Sequence, residues 1–147
     1  SDLAQLAKSY ADKGNLVPDE ITIQILESEV QKHTDINGVI YDGFPRTTDQ
    51  AVALDKFLDK KDTAVTLMLS LIVPEDELKE RLLERAKVSG RADDANPEII
   101  KTRIANYNKS TAPVAEFYKN QNKLVEINGV GTIEEIFDRL IQAINAR

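Results

Sequence analysis

Three short runs of β-forming apolar residues constrain the fold of this chain most strongly. They cover residues 39–41, 65–73 and 124–127, and each is followed by a segment in which apolar residues recur three and four positions apart. That spacing predicts an amphipathic helix of about ten or more residues after each run. Strands that alternate with helices of this length indicate βαβ units with right-handed crossovers and a parallel sheet. The alternation therefore predicts an α/β fold.

Helix boundaries follow from the same periodicity and from capping residues. The predicted helices cover residues 2–13, 18–33, 47–60, 74–85, 97–118 and 132–144. Thr47, Asn96 and Thr132 suit N-caps, whereas Pro113 should interrupt the fifth helix because it removes a backbone donor. The apolar stripes of the last two helices, which include Tyr107 and Phe137, are predicted to be buried.

Composition excludes several classes of function. The length of 147 residues and the 41% apolar content are typical of one globular domain with a sizeable core. The absence of cysteine excludes disulfides, thiolate metal sites and cysteine nucleophiles. The net charge of −6 argues against non-specific binding to nucleic acid or to an anionic membrane. Because neither a spanning apolar run nor a signal-peptide pattern is found, we expect a soluble, cytoplasmic protein.

Ligands of open α/β sheets bind beyond the carboxyl ends of the strands, so each strand-to-helix junction is a candidate site. The junctions lie at residues 42–46, 74–76 and 128–131. In the first, Asp42 is placed to reach a cation or its bound waters, and Arg46 offers a fork of donors that fits a phosphate. Gly43 lets a ligand approach the backbone closely. A tight turn with a surface arginine explains the same residues equally well.

Five of the seven arginines lie at a strand exit, on one helix face, in the irregular segment 86–95 or on the long helix just after it. They are Arg46, Arg81, Arg85, Arg91 and Arg103. Several arginines in one cleft suit phosphoryl transfer, whose transition state is stabilised by positioning and by neutralising charge. A surface ion pair is the simpler explanation for Arg81, because Glu77 precedes it by four residues. Residues 89–94 fit either a mobile ligand-covering loop or an ordinary connection.

Several motifs, taken in chain order, resemble the adenylate kinases, which are nucleoside monophosphate kinases of the P-loop class. They are residues 14–20 (GNLVPDE), 42–47 (DGFPRT) with Gln50, 73–74 with Arg81 and Arg85, 90–94 (GRADD), 111–113 (TAP) and 128–129. The likeness runs essentially from end to end of the chain, and the DGFPR string is highly specific. It implies the P-loop nucleoside monophosphate kinase fold, a three-layer α/β fold with a parallel sheet.

The resemblance also implies a reaction: reversible transfer of the γ-phosphoryl group of ATP to AMP, giving two ADP, with Mg²⁺. A UMP/CMP kinase is the nearest alternative, although Leu16, Val17, Gln50 and residues 111–113 favour AMP. A nucleotide-binding module without catalysis is the alternative from a different class. The family is usually monomeric, and neither nucleic acid nor a membrane is an expected partner.

Site residues are implied at the positions that match the family. The implied AMP-binding residues are Asn15, Leu16, Val17, Gly43, Phe44, Pro45, Arg46, Gln50, Arg91 and Arg103. The implied ATP-binding residues are Arg81, Arg85 and Gly131, and the catalytic arginines are Arg46, Arg85, Arg91 and Arg103. Asp42 would bind Mg²⁺ through water, and the Phe44–Pro45 bond is typically cis in the family. An AMP-binding region at residues 1–33 and a short lid without a zinc module at 86–95 complete the expectation.

One family motif has no counterpart in this sequence. None of the six glycines is followed by lysine, so the glycine-rich phosphate loop is missing. We therefore expect a single domain over residues 1–147 that corresponds to the C-terminal portion of an adenylate kinase and lacks the first two strands and the first helix. Without the loop, the polypeptide should be inactive alone. Unpaired strand edges should cause dimerisation, rearrangement or low stability.

Overall fold

The computed structural model describes residues 2–13, 17–89 and 96–147. These fall into two compact units, Ser1–Ala64 and Val65–Arg147, and each unit is described by itself. None of the helices in this described part is long and apolar enough to cross a membrane.

The first unit consists of three helices and the segments that join them. They are α1 (Asp2–Asp12), α2 (Asp19–Gln31) and α3 (Thr48–Asp59). Helix α2 contacts both α1 and α3. The apolar stripe of α3 places Ala51, Leu54 and Leu58 in the core, with at most 8% of each residue exposed. The three helices lie within about two residues of their predicted positions, which is the usual uncertainty of helix ends.

The strand predicted at residues 39–41 is wrong. These residues have no regular secondary structure, and Val39 and Ile40 are 44% and 87% exposed. A strand requires hydrogen bonds to a neighbouring strand, and both strands in the described part of the chain lie in the second unit, paired with each other. High β-propensity without such a partner is not sufficient to form a strand.

The second unit is built on a parallel pair of strands, as predicted. Its elements in the described residues are β1 (Met68–Ile72), α4 (Glu75–Ser89), α5 (Pro97–Asn106), a π-helical turn (Tyr107–Thr111), α6 (Ala112–Lys119), β2 (Leu124–Asn128) and α7 (Ile133–Asn145). Met68 lies opposite Leu124, and Ile72 lies opposite Asn128. The described residues between the strands are mainly helical, as a crossover between parallel strands usually is. Strand β1 is shorter than the predicted run 65–73, and α4 extends four residues into the segment predicted to be irregular.

Helix α6 contacts both strands and supplies two of the four buried apolar side chains described in this unit. Val114 and Tyr118 are each 1% exposed, and Ile127 of β2 is 6% exposed. The interruption predicted at Pro113 is present as the π-helical turn, in which the Ala112 N–H donates to the Tyr107 carbonyl five residues earlier. Proline lacks the N–H of the regular ladder and clashes with the preceding turn, which accounts for the local change of helix type.

The predicted N-caps are confirmed. Thr47, Asn96 and Thr132 each accept a hydrogen bond from a backbone N–H two or three residues further along, at 3.0–3.1 Å. These caps are short-range interactions, so the local sequence is sufficient to specify them.

The predicted burial of the α7 stripe is wrong for three of its five residues. Phe137 is 59% exposed, and Ile141 and Ile144 are about two-fifths exposed, whereas Ile136 and Leu140 are half-buried. Helix α7 contacts β2 of a two-stranded sheet. Two strands about 4.8 Å apart present a narrow surface to a helix about 10 Å across. The apolar stripe is therefore wider than the sheet face that the described residues provide.

Candidate functional site

The turn between residues 42 and 46 in the first unit holds its own arginine side chain. Gly43 has a φ of +79°, which favours glycine, and the Phe44–Pro45 bond is cis, as the resemblance implies. The Nε of Arg46 donates to the Gly43 carbonyl at 2.7 Å. A Cβ atom on Gly43 would lie 3.2 Å from Nη2 of Arg46. Glycine at position 43 therefore leaves room for the guanidinium group to fold back over the turn.

The outer edge of the Arg46 guanidinium is available to a ligand. Its Nε is the guanidinium nitrogen engaged in a hydrogen bond, and none of the carboxylates in the described ranges pairs with it. Arg46 is exposed. The two terminal nitrogens can therefore form the parallel pair of hydrogen bonds that arginine makes to a phosphate.

Gln50 is held at both ends of its carboxamide. Its Oε1 accepts from the Arg46 backbone N–H at 2.7 Å, and its Nε2 donates to Oδ1 of Asp19 at 3.0 Å. Asp19 is the first residue of α2, and Gln50 lies in the first turn of α3. The structure thus brings together Gly43, Arg46 and Gln50, three residues expected in one site, and adds Asp19, to which sequence reasoning assigned no role.

Asp42 is an exposed carboxylate beside this turn. Among residues 2–13, 17–89 and 96–147, no group of three or more His, Asp or Glu side chains is placed to hold a metal ion. Mg²⁺ usually keeps several waters and is bound by one or two carboxylates together with substrate phosphates. The donor set therefore fits a Mg²⁺ ion that arrives with a nucleotide, with Asp42 acting through water.

The burial of Tyr41 has an electrostatic consequence. Tyr41 is partly buried beside Asp42, and burial raises the pKa of its phenol above the usual value because the phenolate is less well solvated.

Arg81 in the second unit joins α4 to the loop between β2 and α7. One terminal nitrogen of Arg81 lies 2.8 Å from Oε1 of Glu77 and 2.6 Å from the Gly129 carbonyl. The first contact confirms the expected ion pair. The second brings Arg81 next to the loop that contains Gly131, the other residue expected at the ATP adenine. The ion pair and the loop contact therefore coexist on one side chain.

Arg139 holds the same loop from the other side. Its Nη1 donates to the carbonyls of Asn128 and Val130 at 2.7 and 2.5 Å. Gly131 has a φ of +127°, and a Cβ atom there would lie 2.8 Å from Oε2 of Glu135. Sequence reasoning missed Arg139. Glu135, four residues before it, indicates an ion pair with Arg139, but nothing in that spacing indicates the contact between Arg139 and the loop.

The remaining predicted residues are placed less specifically. Arg85 follows Arg81 by one turn on α4, and Arg103 lies in the last turn of α5; both are exposed. Val17, Phe44 and Pro45 are half-buried. The predictions for Asn15, Leu16, Arg91 and the lid residues 90–95 lie outside the described residues.

Comparison with known proteins identifies the family. The adenylate kinase family model matches residues 1–123. The chain is 50% identical to the adenylate kinases of Flavobacterium psychrophilum and Parabacteroides distasonis, and 47% identical to that of Flavobacterium johnsoniae. Each match covers 99% of this chain and 76% of the relative. The parallel strand pair with its helical crossover agrees with the predicted P-loop nucleoside monophosphate kinase fold. The chain therefore belongs to the adenylate kinase family of phosphotransferases.

Proposed function

We propose that this chain carries the acceptor-nucleotide site of an adenylate kinase, in which AMP receives the γ-phosphoryl group of ATP and two ADP are formed. The observation that carries the proposal is the arrangement of Arg46 and Gln50. A guanidinium with two available terminal nitrogens and a carboxamide held at both ends lie four residues apart on one turn and the helix that follows. A nucleotide monophosphate offers a phosphate and a base edge that match this pair.

The residues of the turn have separate roles in this proposal. Arg46 grips the AMP phosphate, and Gly43 lets the nucleotide approach the backbone. Gln50 recognises the base, because a carboxamide pairs with the amino group and a ring nitrogen of adenine. Asn15, Leu16, Val17, Phe44 and Pro45 supply the lining of the base pocket.

The second unit supplies the groups for the donor nucleotide. Arg81 and the Gly131 backbone lie against the ATP adenine, and Arg85, Arg91 and Arg103 neutralise the transferring phosphate and the acceptor phosphate of AMP. An oxygen of the AMP phosphate attacks the γ-phosphorus of ATP, and the bond from that phosphorus to the bridging oxygen of ADP breaks. Mg²⁺ supplies charge neutralisation on the ATP phosphates when bound. Fixed guanidinium groups are effective because charge spreads over the transferring group in the transition state.

The 147-residue polypeptide alone should not catalyse phosphoryl transfer. Its sequence contains no glycine followed by lysine, so it offers no phosphate loop of the P-loop type to the ATP phosphates. A coupled assay for ADP formation from ATP and AMP, run on the purified chain, tests this. Turnover well above a protein-free blank would refute the proposed inactivity without affecting the AMP site.

Calorimetric titration of the chain with AMP, UMP and CMP tests the acceptor site. We expect AMP to bind most tightly. Arg46→Lys keeps the positive charge but loses the planar pair of guanidinium donors, and should weaken the binding of AMP by about tenfold. Lys56→Ala is the control, because Lys56 is an exposed cation of α3 outside this network. Equal or tighter binding of UMP would indicate a pyrimidine nucleotide kinase, and undetectable binding of all three would overturn the proposal.

A further inference from the structure

We propose that Asp19 is a positioning residue that fixes the order of donor and acceptor on the Gln50 carboxamide, so that the acceptor site selects 6-amino over 6-oxo purine nucleotides. The inference rests on the proposed function, because it concerns the same site. Its basis is the hydrogen bond from Gln50 Nε2 to Asp19 Oδ1 at 3.0 Å, which joins residues 31 positions apart in the chain.

The two partners of Gln50 leave its carboxamide one orientation. A carboxylate only accepts hydrogen bonds, so Asp19 must face the NH₂ end. The backbone N–H of Arg46 only donates, so it must face the carbonyl end at 2.7 Å. In the flipped orientation, the Gln50 oxygen would face the Asp19 carboxylate, which is also an acceptor. The Gln50 NH₂ group would then face the Arg46 backbone N–H, which is also a donor. Charged Asp19 makes the stronger of the two constraints, because hydrogen bonds to ionised groups are about twice as strong as neutral ones.

Each end of the held carboxamide keeps one unused group. The oxygen has a second lone pair, and the nitrogen has a second N–H. In the part of the chain that the structure describes, Asp19 and the Arg46 backbone are the partners of these two atoms. Gln50 therefore presents a donor and an acceptor in a fixed order to whatever base lies beside it.

A fixed order of donor and acceptor distinguishes adenine from its 6-oxo counterpart. Along the edge formed by the C6 substituent and ring nitrogen N1, adenine offers an amino donor beside an acceptor nitrogen, whereas hypoxanthine offers an oxo acceptor beside an N–H donor. The two bases are nearly identical in shape, so packing alone does not separate them. A nucleotide whose phosphate is held by Arg46 is not free to reverse its base, so the wrong base leaves polar groups unpaired.

Glu20 provides a matched control for the electrostatics of the helix. It follows Asp19 in the first turn of α2 and is exposed. Both carboxylates interact favourably with the positive end of the helix dipole. Gln50, however, bonds to Asp19 and not to Glu20. Replacing Glu20 therefore removes a charge from the same helix terminus without releasing the carboxamide.

The test is calorimetric titration of the 147-residue chain with AMP and with IMP, comparing the unmodified protein with Asp19→Ala, Asp19→Asn and Glu20→Ala. We expect the unmodified chain to prefer AMP by about 5- to 150-fold, the range of a good bidentate pair. Asp19→Ala should lower that ratio towards 1, by up to about tenfold, because it removes a charge-assisted bond. Asp19→Asn keeps an acceptor oxygen and should lie between. Glu20→Ala should leave the ratio unchanged.

The outcomes separate the inference from the proposed function. If neither Asp19→Ala nor Asp19→Asn changes the preference for AMP over IMP, the positioning role of Asp19 is overturned, although the proposed AMP site stands. An equal loss of preference in Glu20→Ala overturns it too, because the effect is then one of helix charge. Failure of the unmodified chain to bind either nucleotide overturns both. If circular dichroism shows that Asp19→Ala is unfolded, the ratio of Asp19→Asn decides by the same criterion.

Discussion

Gly129 directly follows β2 and lies against residues 71–73 at the end of β1, so a single added methyl group should be costly there. A Cβ atom at this position would lie 2.7 Å from Cγ2 of Val73 and 3.3 Å from the Ile72 carbonyl oxygen. Two carbon atoms prefer a separation of about 3.5–4.0 Å. The Gly129 N–H donates to that same carbonyl at 2.9 Å, so the backbone cannot retreat without losing a hydrogen bond. We expect Gly129→Ala to lower the free energy of unfolding by about 2 kcal/mol, as overpacking does.

Urea denaturation followed by circular dichroism measures this loss. Gly38→Ala is the control, because a Cβ atom at Gly38 would meet no atom within 4 Å. That substitution should be neutral or should stabilise by up to about 1 kcal/mol. Val73→Ala removes the clashing methyl, so the double variant should lose about 1 kcal/mol less than the sum of the single losses. Equal midpoints for Gly129→Ala and Gly38→Ala, or strict additivity with Val73→Ala, would refute the steric reasoning.

Three further predictions concern helix capping, the pH dependence of stability and the self-association of the chain. Thr132→Ala removes the N-cap of α7 and should lower the free energy of unfolding by about 1 kcal/mol in urea denaturation. The control Thr102→Ala, at an exposed position within α5, should not lower it, since alanine is the better helix former. Equal losses in the two variants would contradict this. Because the pKa of Tyr41 is raised in the folded chain, its phenol loses its proton at a lower pH in the unfolded chain. The free energy of unfolding should therefore fall as the pH rises through about 10. Tyr41→Phe should remove that part of the fall in urea denaturation at alkaline pH. The exposed side chains of β1 and α7, such as Leu71 and Phe137, should make sedimentation depend on concentration, and a monomer at every concentration would contradict this.

The features predicted well from the sequence depend on neighbours in the chain. Helix positions follow the apolar spacing, and the caps at Thr47 and Thr132 need a partner only three residues away. Residues 39–41 show the limit of this reasoning. Their apolar, β-rich composition is compatible with a buried strand, but strand formation requires a pairing partner that local sequence does not reveal.

The candidate site divides in the same way. Gly43 and Arg46 belong to one turn, so their proximity could be predicted from the motif alone. The Asp19–Gln50 contact and the Arg139 contacts to the β2–α7 loop depend on how helices and loops pack, and periodicity carries no information about them. Asp19 lies within a motif that the sequence already indicated, but its partner could be identified only in the structure.

The π-helical turn between α5 and α6 determines the direction in which Arg103 projects. Val114 lies eleven positions after Arg103. In an uninterrupted α-helix, at about 100° per residue, the two side chains would point within about 20° of each other. Val114 is buried and Arg103 is exposed. A π-helical turn takes up about one extra residue, so it rotates everything before it by about a quarter turn relative to α6. The one extra residue of the π-helical turn therefore turns the Arg103 side chain away from the buried face of α6 and towards solvent.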